Sequence, residues 1–203
     1  HDTIVEPFAG AAGYSLRYPD REVILVEKYH VIAEIWRWLI DVSVDEVLSI
    51  PCVDAIAELP DHVPQAARWL AGFCMGAQLK RPQLNCSAGL IARRHHNWVE
   101  GWTPLMRARV AAQVPAIRHW RVREGDYTEA PDVMASWFID PPYEVAGEGY
   151  KHGSRAINYA SLGAWCRTRR GQVTVCDNAA ATWLPFQTLG EIVGMQGRRS
   201  VEA

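Results

Sequence analysis

A chain of 203 residues is the size of one domain with a sizeable core, or of one domain and a small appendage. With 49% apolar and 22% charged residues it has an ordinary globular composition, and charges interrupt every apolar run before it reaches the roughly 18 residues of a membrane span. The five cysteines (Cys52, Cys74, Cys86, Cys166 and Cys176) are odd in number, irregularly spaced and without a C-x-x-C pair. They argue for reduced thiols inside a cell and against a disulfide framework or a zinc site.

A net charge of −2 hides a strong contrast along the chain. Residues 1–79 carry five basic against twelve acidic side chains, residues 80–123 nine basic against the single acid Glu100, and residues 124–203 seven against ten. A block of net +8 on an acidic scaffold reads as a surface turned toward a polyanion.

No signal peptide is legible. The sequence opens at His1, a few residues ahead of its first expected strand, as if an N-terminal segment were missing. Thr3 to Phe8 reads as that strand, followed by the small-residue run Ala9-Gly10-Ala11-Ala12-Gly13. Val23 to Val26 is a continuous apolar strand ending at Glu27, and Val31, Ile32, Ile35, Trp36 and Leu39 then fall at helical spacing. Strand, turn, strand and helix in this order suggest parallel α/β winding. From about 60 to 115 the pattern is helical or looped, with Thr103-Pro104 as cap and first-turn proline of a helix that Pro115 ends. Strands are expected again at 120–122, 135–139 and 172–176, and 190–195 with 200–203 flank Gln196-Gly197 like a hairpin.

The strongest motif is Asp140-Pro141-Pro142-Tyr143, directly after the apolar Trp137-Phe138-Ile139. From average residue usage it arises by chance in about one chain of this length per thousand. Two prolines remove two donors and fix φ, so the strand must stop in a rigid extended loop. The Asp140 carboxylate and the Pro141 carbonyl are then acceptors at the carboxyl end of a strand, where open α/β sheets bind ligands. An aromatic amine is a poor nucleophile because its lone pair is delocalised into the ring. Two acceptors, each taking one N–H, favour a pyramidal nitrogen, and both bonds strengthen as positive charge grows on it. Tyr143 offers a face on which a base can stack, worth roughly 1–3 kcal/mol. Read without its context, the tetrapeptide is also compatible with a plain strand-ending turn.

Three weaker signals accompany it. Glu6-Pro7-Phe8-Ala9-Gly10 with the following small residues lets a backbone pass close to a ligand, or serves tight helix–strand packing; it lacks the G-x-G-x-x-G of dinucleotide sites. Glu27 ends the second strand, where carboxylates hold ribose hydroxyls, or is a solvated strand end. Gly125-Asp126-Tyr127 follows the strand near Val122 and by itself is a plain Asp turn.

In this order, and at these strand ends, the four signals resemble the Dam-like class of adenine-specific DNA methyltransferases, particularly its short phage-type members. The resemblance is carried by Val5-Glu6-Pro7-Phe8-Ala9-Gly10, Glu27, Gly125-Asp126-Tyr127, Phe138-Ile139-Asp140-Pro141-Pro142-Tyr143 and Gln172 to Asn178, and spans nearly the whole chain. It implies a Rossmann-like α/β fold that binds S-adenosylmethionine, with a mostly parallel sheet, a C-terminal antiparallel hairpin and a small helical insertion. Residues 1–59 and 116–203 would form the catalytic domain, and 60–115 an inserted basic target-recognition region. Glu6, Pro7, Phe8, Ala9, Gly10, Glu27, Asp126, Tyr127 and Asp140 would hold the cofactor. Phe8 and Gly10 would meet its methionine part, Glu27 its ribose, and Asp126 and Tyr127 its adenine. Asp140, Pro141, Pro142 and Tyr143 would receive the flipped target adenine. The family's Gly-Gly-Lys segment ahead of the cofactor loop has no match here.

Double-stranded DNA is the implied partner, acted on by a monomer or weak dimer in the cytoplasm of a bacterial or phage-infected cell, with or without a partner restriction nuclease. Phosphate contacts are expected from Lys80, Arg81, Arg93, Arg94, His95, His96 and Arg107, with Arg109 and Arg118, and from Lys151 and Arg155 in a strap after the catalytic loop. Trp98 and Trp102 are stacking residues or ordinary packing, and adjacent His95-His96 alone do not make a metal site. Two alternatives stay open: methylation of another amine, in RNA or in a protein glutamine (a class that usually carries Asn-Pro-Pro-Tyr), and a non-catalytic DNA-binding module.

Overall fold

The structure, a computed structural model, describes residues 1–76, 80–89, 91, 101–145, 147–188, 190–193 and 199–202. Its strands are β1 (Thr3–Glu6), β2 (Glu22–Glu27), β3 (Arg121–Glu124), β4 (Met134–Ile139), β5 (Arg170–Val175), β6 (Gly190–Val193) and β7 (Arg199–Glu202). The helices used below are α1 (His30–Asp41), α2 (Val44–Ser49), α3 (Gln65–Cys74), α4 (Pro104–Gln113) and α5 (Tyr159–Arg167). Two compact units divide the chain: His1–Tyr29 with Arg121–Ala203, and His30–Trp120.

In the first unit five strands form one sheet in the order β3-β2-β1-β4-β5, every pairing parallel. The chain builds outward from β1 through β2 to β3, then returns to the other side of β1 for β4 and β5. The strand order therefore reverses between β1 and β4. Apolar runs drive the central strands: Val23, Leu25 and Val26 of β2 and Ala135, Trp137 and Ile139 of β4 are fully or almost fully buried. Prolines end the two strands that flank the reversal. β1 stops at Glu6 rather than running to Phe8 because Pro7 cannot donate to the ladder, and β4 stops before Pro141 for the same reason. Val5, Val26, Ala135, Trp137 and Ile139 share one core with Tyr159, Leu162 and Cys166 of α5. β6 and β7 pair antiparallel as a separate two-stranded sheet, with Gly190 opposite Glu202; residues 194–198 between them lie outside the described residues.

The second unit is helical. α1 packs on α3, α2 on α4, and the rings of Trp36 and Trp120 meet at 5.7 Å. Its helix starts follow sequence signals: Ser43 and Glu46 form a reciprocal capping box on α2, and Thr103 caps α4 with Pro104 in the first turn. The unit takes in 60–115 together with α1 and α2, and the apolar stripe of α1 packs on α3 within it. Two of the basic residues expected on a DNA-facing surface are engaged inside the unit. The Arg118 guanidinium donates to the carbonyls of Ile40, Asp41 and Val42 at the end of α1, and Arg107 donates to the Ile50 carbonyl at 2.8 Å. Such groups complete a helix C-terminus whose last carbonyls lack intrahelical donors. Among the described residues no helix is long and apolar enough to cross a membrane.

The β4–β5 pairing depends on one glycine. Gly171 has φ +113° and sits opposite Ala135, and a Cβ on it would stand 2.1 Å from the Ala135 carbonyl oxygen. Gly171→Ala therefore combines left-handed strain with a backbone clash, and we expect a loss of about 3 kcal/mol or more in urea unfolding. A variant as stable as the wild type would show that β5 does not pair with β4 in this register.

Candidate active site

The β1–β4 pairing sets Ile4 opposite Ser136 and Val5 opposite Trp137, so the carboxyl ends of the two strands lie side by side. The run Glu6–Gly10 leaves one and Asp140–Tyr143 leaves the other. The two strongest sequence signals thus meet where the strand order reverses, the position at which open α/β sheets hold ligands.

Strand alternation sorts the neighbouring side chains. With Val5, Trp137 and Ile139 committed to the α5 side, Glu6 and Phe138 face the opposite side. There Phe138 stacks on Tyr14, centroids 4.6 Å apart and planes 3° apart. The Ser15 N–H donates to Glu6 Oε1 at 2.7 Å. Glu6 is only 2% exposed, and burial pushes its carboxyl up to about 7, with the negative charge of Asp140 adding to the shift and the Ser15 bond opposing it. Two carboxyls therefore share one electrostatic neighbourhood. Glu6 holds its proton to near neutrality inside the protein, while Asp140 stands exposed at the strand end.

The loop after β1 is tied to the end of β2. Pro7 and Ala9 are buried, and Ala9 donates its N–H to the Val26 carbonyl at 3.2 Å. Glu27 accepts from Gly10 N at 2.9 Å with Oε2 and from Tyr29 N at 2.8 Å with Oε1, and burial raises its carboxyl above the usual range against those bonds. Gly10 has φ +46°, and a Cβ there or at Gly13 would meet nothing within 4 Å, so the loop leaves open space above its backbone. Phe8 stacks on Tyr127 at 5.5 Å, and Tyr127 meets Trp165 edge-on at 5.1 Å. A carboxylate with spare lone pairs, an open glycine cradle and a stacked aromatic wall are a donor set that fits a nucleoside carrying a small amino-acid tail.

Asp126 has a structural task of its own. Oδ1 accepts from Thr128 N at 3.2 Å and from the Thr128 hydroxyl at 3.1 Å, Glu129 completes the box by accepting from Asp126 N at 3.0 Å, and Lys28 Nζ stands 2.9 Å from Oδ2. Partial burial alone would raise its carboxyl, but Lys28 and the Thr128 donors outweigh it and hold it below the usual range.

In the loop after β4 Asp140 is exposed, Pro141 buried, and Pro142 and Tyr143 half-buried. The Tyr159 hydroxyl of α5 donates to the Pro142 carbonyl, and Gly147 N donates to the Tyr143 carbonyl at 2.7 Å. A Cβ on Gly147 would stand 2.6 Å from the Pro142 backbone, so this glycine is required for the loop to fold back on itself. Tyr150 follows, half exposed, its hydroxyl raised by burial and by the charge of Asp140. Further along, His152 meets Tyr29 edge-on at 6.3 Å, with burial, Lys28 and Lys151 all depressing its pKa. Arg155 pairs with Glu148 at 2.9 Å, and Lys151 is exposed.

The other expected DNA contacts are distributed differently. Lys80, Arg81 and Arg107 belong to the second unit, where Arg81 is exposed, Lys80 half-buried and Arg107 bonded as described. Trp102 is 1% exposed, a packing residue. Arg93, Arg94, His95, His96 and Trp98 lie outside the described residues. Sequence reasoning missed Tyr14, Ser15 and Tyr159, and took Tyr150 only as the start of the strap that carries Lys151 and Arg155. Of the three, Tyr159 carried a usable signal, as an aromatic in the stretch after a proline-locked loop.

No family model matches the chain, and no curated protein matches it. The class rests on the fold: a Rossmann-like α/β protein whose mostly parallel five-stranded sheet is consistent with the S-adenosylmethionine-dependent methyltransferase superfamily.

Glu6 makes stability pH-dependent with a definite sign. Unfolded, it titrates near 4.5; folded, it keeps its proton to about 7, so the fold binds the extra proton between those values. Its stabilisation is fully present below 4.5 and is lost as the pH rises through 7. Relative to Glu6→Gln, which has no proton to lose, the wild type should lose on the order of 3 kcal/mol between acid and mildly alkaline pH, read from paired urea titrations. Parallel stability curves for the two proteins would place Glu6 in water instead.

Proposed function

We propose that the chain transfers a methyl group from S-adenosylmethionine to the exocyclic N6 amine of adenine in double-stranded DNA, with the target base flipped out of the stack. The observation that carries this reading is the meeting of the Glu6–Gly10 and Asp140–Tyr143 loops at the β1/β4 reversal, with Asp140 exposed there. When bound, the cofactor supplies an electrophilic methyl group on a sulfonium. Phe8, Gly10, Glu27, Asp126 and Tyr127 are the residues that would hold it, and Glu6, Pro7 and Ala9 shape the loop from within.

The chain's own part is to prepare the amine. Asp140 and the Pro141 carbonyl each take one N–H, which localises the nitrogen lone pair and stabilises the growing positive charge. The Pro142 carbonyl is engaged by Tyr159, which leaves that of Pro141 for this role. Tyr143 provides the stacking face. Asp140, being exposed, can pass the proton released by the methylated amine to water. Recognition of DNA falls to residues 60–115 with Lys80, Arg81, Arg93, Arg94, His95 and His96, and to Lys151 and Arg155 beside the catalytic loop, while Arg107 serves the Ile50 carbonyl. The protein would work in the cytoplasm, on nucleoid or phage DNA.

The test uses the full chain, S-adenosylmethionine labelled in its methyl group, and duplex DNA, single-stranded DNA and RNA in parallel, with N6-methyladenine read by mass spectrometry. Asp140→Ala should lower transfer about a hundred- to a thousandfold and leave cofactor affinity by calorimetry unchanged. Transfer within tenfold of the wild type would remove Asp140 from the mechanism. A wild-type chain that binds no S-adenosylmethionine would end the reading, and one that methylates RNA alone would move it to the other nucleic acid.

A further inference from the structure

Asp177 stands just past β5, beside β4 in register (Ile139 opposite Val175), and is fully buried. A buried carboxylate is costly unless several donors satisfy it. Here Oδ1 accepts from Asn178 N at 2.7 Å, and Oδ2 accepts from the Trp183 indole Nε1 at 2.8 Å and from Glu144 N at 3.4 Å. The last of these donors is the peptide directly after Tyr143.

The Trp183 ring in turn lies 5.5 Å from the Tyr159 ring. A Cβ on Gly163 of α5 would stand 2.9 Å from the Trp183 carbonyl, so the indole segment is seated closely on that helix. Tyr159 donates its hydroxyl to the Pro142 carbonyl, the peptide directly before Tyr143. Both flanks of Tyr143 are therefore gripped from β5 and α5, and its own carbonyl is held by Gly147.

We propose that Asp177, acting through Trp183 and Glu144 and in concert with Tyr159, is a positioning residue that fixes the Tyr143 ring and the Pro142 peptide where the target base is received. This rests on the amine-methylation reading. Asp177 approaches no reacting atom; it sets the place of the loop that does.

Three variants probe the bracket at different points. Trp183→Phe keeps a ring and removes the N–H. Tyr159→Phe removes only the hydroxyl on Pro142. Asp177→Asn replaces one oxygen by an NH2 that must face either Asn178 N–H or the Glu144 and Trp183 donors, so one donor meets another in every orientation. Should Asp177→Asn fail to fold, the two single-group variants still decide the matter.

The first readout is amide hydrogen exchange by mass spectrometry on the full chain, which needs no activity. Peptides covering Glu144 and Gly147 should exchange about tenfold faster in Trp183→Phe and Tyr159→Phe, while β1 and β2 keep wild-type protection. The second is kinetic: methyl transfer should fall about ten- to a hundredfold in kcat with cofactor affinity unchanged. The third replaces the target adenine by 2-aminopurine, whose fluorescence on flipping should be altered in the variants. Wild-type protection of Glu144 and Gly147 in both single-group variants would overturn the bracket. So would a uniform loss of protection through every strand with kcat intact. A wild-type chain active on no nucleic acid would instead sink the methylation reading and the base-receiving role with it, while the exchange data would still report whether Asp177 holds the loop.

Discussion

Parallel pairing between β1 and β4 is the constraint on which the site depends. It joins Ile4 to Ser136 and Val5 to Trp137, residues far apart in the sequence, and so decides which loops share an edge. Prolines at 7 and 141 then end the two ladders, because neither can donate to a neighbouring strand, with β4 running one residue further than β1 in the shared register. Apolar side chains on one side of both strands bury against α5, and the residues that alternate with them, Ile4, Glu6, Ser136 and Phe138, face the other side. A slip of one residue would exchange the two sets and put Glu6 into the apolar core.

That alternation gives two carboxyls unequal surroundings. Glu6 is enclosed and pushed toward its neutral form, and Asp140 lies in solvent at the strand end. Placing two ionised carboxylates in one neighbourhood is costly, and burial settles which of them yields. A neutral Glu6 relieves Asp140 of like-charge repulsion near neutral pH. The exposed residue of the pair is the one a ligand can reach, by displacing the water that solvates it.

The central strands were legible because burial on both faces demands continuous apolar runs, as in Val23 to Val26 and Trp137 to Ile139. The stop of β4 and the loop Asp140–Tyr143 were legible because Pro-Pro after such a run has few structural outcomes. Strand ends were less so: the strand expected at 120–122 is Arg121–Glu124, since a short edge strand tolerates charge and breaks the apolar pattern. The boundary of the helical unit was illegible because an amphipathic stripe shows that α1 has a buried face without showing which partner covers it. Guanidinium use was hidden in the same way. Arg107 and Arg118 contribute to a striking local charge in the sequence, but the carbonyls they bind belong to Ile50 and to Ile40, Asp41 and Val42, far away in the chain. The Asp177 donors share that difficulty, because an acid after a strand reveals neither Trp183 nor Glu144.

The anchors of the two loops fall on opposite halves of the sheet. Glu27 at the end of β2 and Tyr127 after β3 hold the Glu6–Gly10 loop, whereas Asp177 after β5 and Tyr159 of α5 hold the Asp140–Tyr143 loop. Two couplings cross the reversal: the field between Glu6 and Asp140, and the ring contacts that run from Phe8 through Tyr127 to Trp165 of α5. The ring contacts fix how the two loops are seated on one core, while the field links the charge on Asp140 to the protonation of the buried Glu6.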